Sequence, residues 1–101
     1  MTVESRFTED GSALIINIRG KFDFKLLSQF RQAYSDSTIK VEKIIIDMRD
    51  TSSIDSSALG MLLNMQRHLG KADGEITITN CNQDVSKIFQ ITHFDKKFRI
   101  E

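Results

Sequence analysis

The sequence predicts a single α/β domain: a mixed sheet of four to five strands, with an N-terminal hairpin and crossover helices on a parallel portion. Three observations lead to this prediction. Leu14, Ile16 and Ile18 alternate with Ile15, Asn17 and Arg19, as in a strand. Later in the chain, two kinds of segment alternate: short strand-like runs rich in isoleucine or threonine, and longer segments whose apolar residues have helical spacing. The chain has 101 residues, of which 40% are hydrophobic, and can therefore bury one modest core. We expect residues 1–101 to form a single domain.

The first half of the chain predicts a hairpin, a helix and a buried strand. Asp10-Gly11 separates two alternating runs and is a tight-turn signal. Asp23 is expected to cap the first helix. The apolar face of that helix is predicted from Leu26, Leu27, Phe30, Ala33 and Tyr34. Residues 43–48 include three consecutive isoleucines, which is typical of a parallel strand covered on both faces.

The second half predicts a helix over residues 56–70, a strand over 75–79 and a third helix. Asn82 or Asp84 is expected to cap the third helix. The last segment, KKFRI at 96–100, is predicted to add a short final strand. The resulting order, β β α β α β α (β), predicts right-handed crossovers between the parallel strands.

Charge and composition exclude several functional classes. Lys plus Arg and Asp plus Glu each number 14, so the formal net charge of +0 argues against a nucleic-acid surface. The apolar runs are too short to cross a bilayer, and the N-terminus has no signal-peptide pattern. Cys81 is the only cysteine and is interpreted as a packing residue. We therefore expect a cytoplasmic protein without membrane insertion.

The segment IIIDMRDTSSIDSSALG, residues 44–60, places four serines within six positions. Ser52 and Ser53 are interpreted as loop residues that satisfy local backbone groups. Ser57 is interpreted as a residue of the first helical turn. Ser56 is left with two interpretations: it either caps the second helix, or it presents a hydroxyl that another protein modifies.

The second helix divides into two faces at 100° per residue. The face predicted to cover the sheet contains Ala58, Leu59, Leu62, Leu63, Met65 and Leu69. The opposite face contains Ser56, Gly60, Asn64 and Arg67. A glycine inside a helix costs about 1 kcal/mol relative to alanine. Gly60 is therefore either an incidental surface residue without a role, or part of a docking site where the absence of a side chain lets a partner's backbone approach closely.

Catalysis by the protein itself is not expected. A serine nucleophile needs a nearby base, and the chain has only two histidines, His68 and His93. His68 follows Ser56 by twelve residues, which is about 18 Å along a helix. The sequence contains no G-x-S-x-G, no phosphate-binding loop and no paired metal-ligand spacing. We therefore expect no catalytic residues, no metal and no cofactor.

Residues 41–80, VEKIIIDMRDTSSIDSSALGMLLNMQRHLGKADGEITITN, resemble the core of a STAS domain of the stand-alone anti-sigma factor antagonist kind. DSSALG at 55–60 is similar to the family pattern D-S-S-G-L-G, with Ala58 in place of a glycine. IRGKFDF at 18–24 resembles the family's element before the first helix. The chain ends at Glu101, where many members continue into a further helix, so the groove under such a helix is expected to be either exposed or used for partners.

The resemblance implies a phosphoprotein that takes part in partner switching. In the family, a serine kinase, often the anti-sigma factor itself, phosphorylates the serine after the aspartate, and a serine phosphatase reverses this. Carried over by position, the acceptor is Ser56, with Ser57 as runner-up. The partner surface is then expected to contain Asp23, Asp55, Ser56, Ser57, Gly60, Asn64 and Arg67. The unphosphorylated form is expected to bind an anti-sigma factor or similar regulator and so to control transcription.

Two points remain open from the sequence. Phe22 and Phe24 are interpreted mainly as core anchors and Asp23 as a helix cap, although the resemblance also places this loop on the partner surface. The G-x-F-D-F loop resembles members that control bacterial biofilm, motility or secretion. The alternative function is a constitutive STAS subunit, like those that bind the ATPase of a lipid transporter.

Overall fold

The computed structural model describes residues 2–35 and 41–101. Within these ranges the chain forms six strands and three α-helices. They are β1 (Thr2–Phe7), β2 (Ala13–Phe22), α1 (Leu27–Tyr34), β3 (Lys43–Asp47), β4 (Thr51–Ile54), α2 (Ser56–His68), β5 (Ile76–Thr79), α3 (Gln83–Ile91) and β6 (Arg99–Ile100). A single 3₁₀ turn, Phe24–Leu26, precedes α1, and a second one, Phe94–Lys96, follows α3.

The strands form a mixed sheet in the order β1-β2-β3-β5-β6. β1 and β2 pair antiparallel as the N-terminal hairpin, whereas β2, β3, β5 and β6 are parallel neighbours. β4 lies off this path and pairs in parallel with the last residues of β2. The predicted fold class, an α/β domain with a mixed sheet, an N-terminal hairpin and crossover helices, is confirmed, with one strand more than expected in the described ranges.

The additional strand corrects the interpretation of two serines. Ser52 and Ser53 lie in β4 and are exposed there, so the prediction that they are loop residues is wrong. The strand is held by tertiary contacts that the sequence pattern does not reveal. The Thr51 hydroxyl donates to the Ile18 carbonyl at 2.7 Å, and the Asn82 amide donates to the carbonyls of Thr51 and Ser52. Asn82 also caps α3, as predicted, by accepting from the Val85 N–H.

One hydrophobic core holds the domain together. Buried residues of all three helices pack with every second residue of the sheet strands, such as Ile44 and Ile46. Ile45 points to the other side of the sheet, is only half-buried and does not belong to this core. The prediction that its strand is covered on both faces is therefore wrong, because the helices cover one face only.

The buried side of α2 is rotated relative to the prediction. Its buried residues are Ala58, Met61, Leu62, Met65 and Gln66. The predicted arc also included Leu59, Leu63 and Leu69, which are half-buried. Gln66 replaces them at the edge of the core because its amide has partners there, the Asp73 carboxylate at 3.1 Å and the Lys97 carbonyl at 3.4 Å.

Candidate functional site

The candidate site lies where β2 and β4 leave the sheet. These two strands run parallel, and Phe22 of β2 is the register partner of Ile54 of β4. Both side chains are buried, so both strands end against the core. The next residue of each chain segment is an aspartate, Asp23 or Asp55, and each begins a helical turn. The register therefore brings two predicted site residues from distant parts of the sequence to neighbouring positions.

Both aspartates act as helix N-caps. Asp23 accepts a hydrogen bond from the Lys25 N–H at 2.9 Å, which confirms the predicted cap, although the turn it caps is 3₁₀ rather than α. Asp55 accepts from the Ala58 N–H at 3.1 Å and from the Ser57 hydroxyl at 2.5 Å. A side-chain oxygen at this position satisfies an N–H group that has no partner inside the helix.

The electrostatic state of Asp55 follows from these contacts. The Ser57 hydroxyl, with a smaller contribution from the Ala58 N–H, holds the pKa of the Asp55 carboxyl below its ordinary value of 3.8, against the opposing effect of burial. Asp55 is thus a carboxylate at neutral pH. The N-terminus of α2 already carries one negative charge beside the two serines.

The two serines of the motif have different environments. Ser57 is half-buried and its hydroxyl is committed to Asp55. Ser56 is the first residue of α2 and is exposed. The side-chain hydrogen bonds described for this end of the helix involve Asp55 and Ser57, and Ser56 takes part in none of them. The interpretation of Ser56 as the helix cap is therefore wrong, because Asp55 occupies the cap position.

The other predicted site residues on α2 lie along its exposed face. Gly60, Asn64 and Arg67 are all exposed, as the helical phase predicts. A Cβ placed on Gly60 has no heavy atom within 4 Å, so its surroundings are open space. Arg67 follows Ser56 by eleven residues, about 16 Å along the helix axis, and so lies at the far end of this face. Ser56 and Gly60, one turn apart, form its N-terminal part.

Phe24 is a residue of this site that the sequence analysis placed in the core. Phe22 is fully buried as predicted, whereas the side chain of Phe24 is 67% exposed. The alternation of β2 would place both residues on one face only if the strand continued. Because the strand ends at Phe22 and a 3₁₀ turn begins at Phe24, the backbone rotates and carries the second ring outward.

A group of possible metal ligands, the histidine of α2 and a helix that could span a membrane are three further features, and none of them is found at this site in the described residues. Among residues 2–35 and 41–101, no three His, Cys, Asp or Glu side chains are grouped so that they could hold a metal ion. His68 lies at the opposite end of α2, where its ring packs edge-on against Tyr34 with centroids 5.5 Å apart. None of the helices in the described part of the chain is long and apolar enough to span a membrane.

Comparison with known proteins shows which family the sequence matches and which solved structures have a similar fold. The family model described as "STAS domain" matches residues 4–101. A STAS-domain containing protein of Pseudomonas aeruginosa (strain UCBPP-PA14) is 38% identical over 100 residues, which are 99% of this chain and 99% of that protein. The Bacillus cell fate determinant SpoIIAA in its phosphorylated form has a TM-score of 0.72 at 22% identity, over 99% of this chain and 91% of that chain. An anti-sigma factor antagonist from Mycobacterium paratuberculosis has a TM-score of 0.74 at 17% identity, over 98% and 85% of the two chains.

Proposed function

Because the chain belongs to the STAS-domain family, we propose that it is an anti-sigma factor antagonist whose binding is switched by phosphorylation of Ser56. The unphosphorylated form binds an anti-sigma factor. A serine kinase, either that factor or a separate enzyme of the same type, adds the phosphate, and a serine phosphatase removes it. The observation that carries this proposal is the exposed hydroxyl of Ser56, which takes part in none of the side-chain hydrogen bonds described at a helix start that Asp55 already caps.

The fold tolerates a phosphate at this position. A phosphoserine carries about −1.5 to −2 charges at pH 7, and free N–H groups at a helix N-terminus favour nearby anions. The cap bond from Ala58 to Asp55 does not involve the Ser56 hydroxyl and so survives the modification. We therefore expect the phosphorylated protein to remain folded, with its altered surface as the only signal.

The same phosphate interferes with docking. Ser56 and Gly60 form the N-terminal part of the exposed face of α2, where the missing Cβ of Gly60 leaves room for another backbone. A neutral hydroxyl can be covered by a partner at little cost, whereas a phosphate with nearly two charges has to lose its hydration. Phosphorylation thus lowers the affinity for the partner while the free energy of unfolding changes little.

The protein acts as a substrate of the kinase rather than as an enzyme. Ser56 has neither a base within hydrogen-bond reach nor a residue orienting one among its described contacts, and a serine nucleophile requires both. His68 packs on Tyr34 at the other end of α2, and His93 follows α3 in a left-handed conformation, with φ of 60°. We further propose that residues 1–101 act as a single domain in the bacterial cytoplasm, with biofilm formation, motility or secretion under its transcriptional control.

The acceptor serine can be tested by intact-mass analysis of protein recovered from cells that contain the cognate kinase, with fragmentation to map the site. Wild type is expected to gain one phosphate at Ser56, and Ser56→Ala to gain none. Ser53→Ala is the matched control, because Ser53 is also exposed and lies three residues away, and it should be phosphorylated like wild type. A wild type that never gains a phosphate, or a Ser56→Ala variant modified equally at Ser57, contradicts the switch and favours the constitutive subunit.

The docking face can be tested with Gly60→Arg. The added side chain extends into open space, and the helix loses a glycine, so the variant is expected to be at least as stable as wild type. Capture of a purified anti-sigma factor should nevertheless weaken, because the arginine covers this part of the face. Gln90→Arg, on the exposed side of α3, is the control with the same charge change and should bind like wild type. Equal binding by folded Gly60→Arg excludes this patch as a contact.

A further inference from the structure

Among the described residues, three large apolar side chains are more than half exposed. They are Phe7 at 53%, Phe24 at 67% and Ile91 at 68%. Single exposed apolar residues are common on protein surfaces and need no function by themselves. Phe24 differs from the other two by its position, because it lies at the strand ends that carry Asp23 and Asp55.

The strand register fixes the relation between Phe24 and Ser56. Phe22 and Ile54 are paired, and Phe24 and Ser56 are each the second residue after that pair. The two parallel segments therefore leave the sheet side by side at the same level. Phe24 begins the turn capped by Asp23, and Ser56 begins the helix capped by Asp55. An aromatic ring and the candidate phosphoacceptor thus occupy equivalent positions on adjacent turns.

The backbone on both sides of Phe24 is held in place. Phe22 is 0% exposed and Leu26 is 1% exposed, so core side chains lie two residues before and two residues after the ring. Between them the Asp23 carboxylate accepts from the Lys25 N–H at 2.9 Å. A protruding ring on a fixed backbone loses little conformational freedom on binding, which is the property of an efficient anchor residue.

On the helix itself, Ser56 also has apolar neighbours. Leu59 and Leu63 are one and two turns further along α2, and both are half-buried at the margin of the core. At 100° per residue they lie on one side of the line from Ser56 to Gly60. His68, which packs on Tyr34 of α1, marks the other side, toward the segment that follows Phe24. Ser56 thus lies between the two leucines and the side of α2 that faces α1.

We propose that Phe24 is the anchor by which the unphosphorylated protein holds its anti-sigma factor, with the ring inserted into an apolar pocket of that protein. Leu59 and Leu63 extend the contact around Ser56. This inference rests on the proposed function and specifies the chemistry of the partner's surface. Lys21, Asp23 and Lys25 lie within three residues of Phe24, and Asp55 caps the neighbouring turn. Charges of both signs are mixed here, so the site presents no block of one sign to a charged partner.

An apolar contact of this kind also explains the release step. When Ser56 is neutral, the partner's pocket covers a hydroxyl and a ring; after phosphorylation it would have to cover nearly two charges. The loss of binding then comes mainly from desolvation of the phosphate, and screening by salt does not restore it. A partner that relied on ion pairs with Asp23 and Asp55 would instead bind more weakly as salt increases.

The test uses purified anti-sigma factors of the source organism, each titrated calorimetrically with unphosphorylated full-length protein. Phe24→Ala is expected to weaken binding by about 30-fold or more, the loss typical of an aromatic anchor, while the melting temperature stays near that of wild type. Phe7→Ala and Ile91→Ala remove the other two exposed apolar side chains and should change affinity by less than about threefold. Raising salt from 0.1 to 0.5 M should change wild-type affinity by less than about threefold.

The outcomes separate this inference from the proposed function. If no anti-sigma factor binds wild type, the proposed function fails and the anchor fails with it. If wild type binds and folded Phe24→Ala binds equally well, the anchor alone is wrong and the switch at Ser56 stands. If wild type self-associates in sedimentation and only Phe24→Ala is monomeric, Phe24 contacts a second copy of this chain, and the assignment to an anti-sigma factor is overturned.

Discussion

Asp55 and Ser56 are neighbours with different expected roles, the first in stability and the second in switching, and this difference can be tested directly. Asp55 accepts hydrogen bonds from Ala58 and Ser57 at the start of α2, whereas the Ser56 side chain contributes to neither contact. Stability and switching are therefore expected to depend on adjacent but different residues. Asp55→Ala should destabilise the protein, and Ser56→Ala should not.

The magnitudes follow from the contacts. Loss of the cap bond to the Ala58 N–H costs about 1 kcal/mol, and loss of the negative charge at the helix N-terminus costs about 0.3–1 kcal/mol more. Asp55→Ala is thus expected to lower the free energy of unfolding by about 1.3–2 kcal/mol, or the melting temperature by roughly 10 °C. Ser56→Ala replaces an exposed serine by the best helix former, so stability should be unchanged or higher by about 0.5 kcal/mol.

Urea denaturation followed by circular dichroism measures both effects. Asp55→Asn is the matched control, because asparagine caps as well as aspartate but carries no charge, and it should retain most of the stability. The pKa of the Asp55 carboxyl is lowered on folding. Its charge therefore stabilises the protein above its ordinary pKa of 3.8, and the advantage over Asp55→Asn disappears as the pH falls through the lowered value. A Ser56→Ala variant that loses as much stability as Asp55→Ala refutes this reasoning.

Two further predictions concern other side chains. Hydrogen bonds from the Ser12 N–H, the Thr8 hydroxyl and the Ser12 hydroxyl lower the pKa of Asp10 to about 2, so its stabilising contribution, present above 3.8, should be lost between these values. Urea midpoints from pH 5 to 2 should therefore fall more steeply for wild type than for Asp10→Asn, and equal slopes contradict this. Asn82→Ala removes the cap of α3 and the amide that donates to the carbonyl of Thr51. The variant should therefore lose about 2 kcal/mol of unfolding free energy in urea denaturation and show faster amide exchange in β4. A loss below about 0.5 kcal/mol contradicts this role of Asn82.

The parts of the fold that follow from local chemistry were predictable from sequence. The Asp10-Gly11 turn, the caps at Asp23 and Asn82 and the alternation of β2 each depend on residues close together in the chain. β4 was not predictable in this way. Its four residues include two exposed serines, and what makes it a strand is pairing with β2, some thirty residues earlier.

The same distinction applies to the candidate site: the features that depend on local sequence were predictable, and those that depend on tertiary packing were not. The exposed face of α2, with Ser56, Gly60, Asn64 and Arg67, follows from helical phase alone, and the structure places all four as predicted. Helical phase did not predict that Met61 is buried and Leu63 only half-buried, because the orientation of the helix on the sheet is set by tertiary packing.

Phe24 shows where local patterns stop being informative. It is separated from a buried phenylalanine by one residue, and alternation places both inside, yet the strand ends between them. What exposes the ring is the cap that Asp23 forms with the Lys25 N–H, which turns the backbone immediately after the core position. Asp55 does the same for Ser56. An aspartate that ends a buried strand and starts a helix therefore has two consequences here: it satisfies the first turn, and it projects the next side chain into solvent. The two serines that follow Asp55 differ for the same reason: Ser57 donates its hydroxyl back to Asp55, whereas Ser56 takes part in neither of the hydrogen bonds described at this cap.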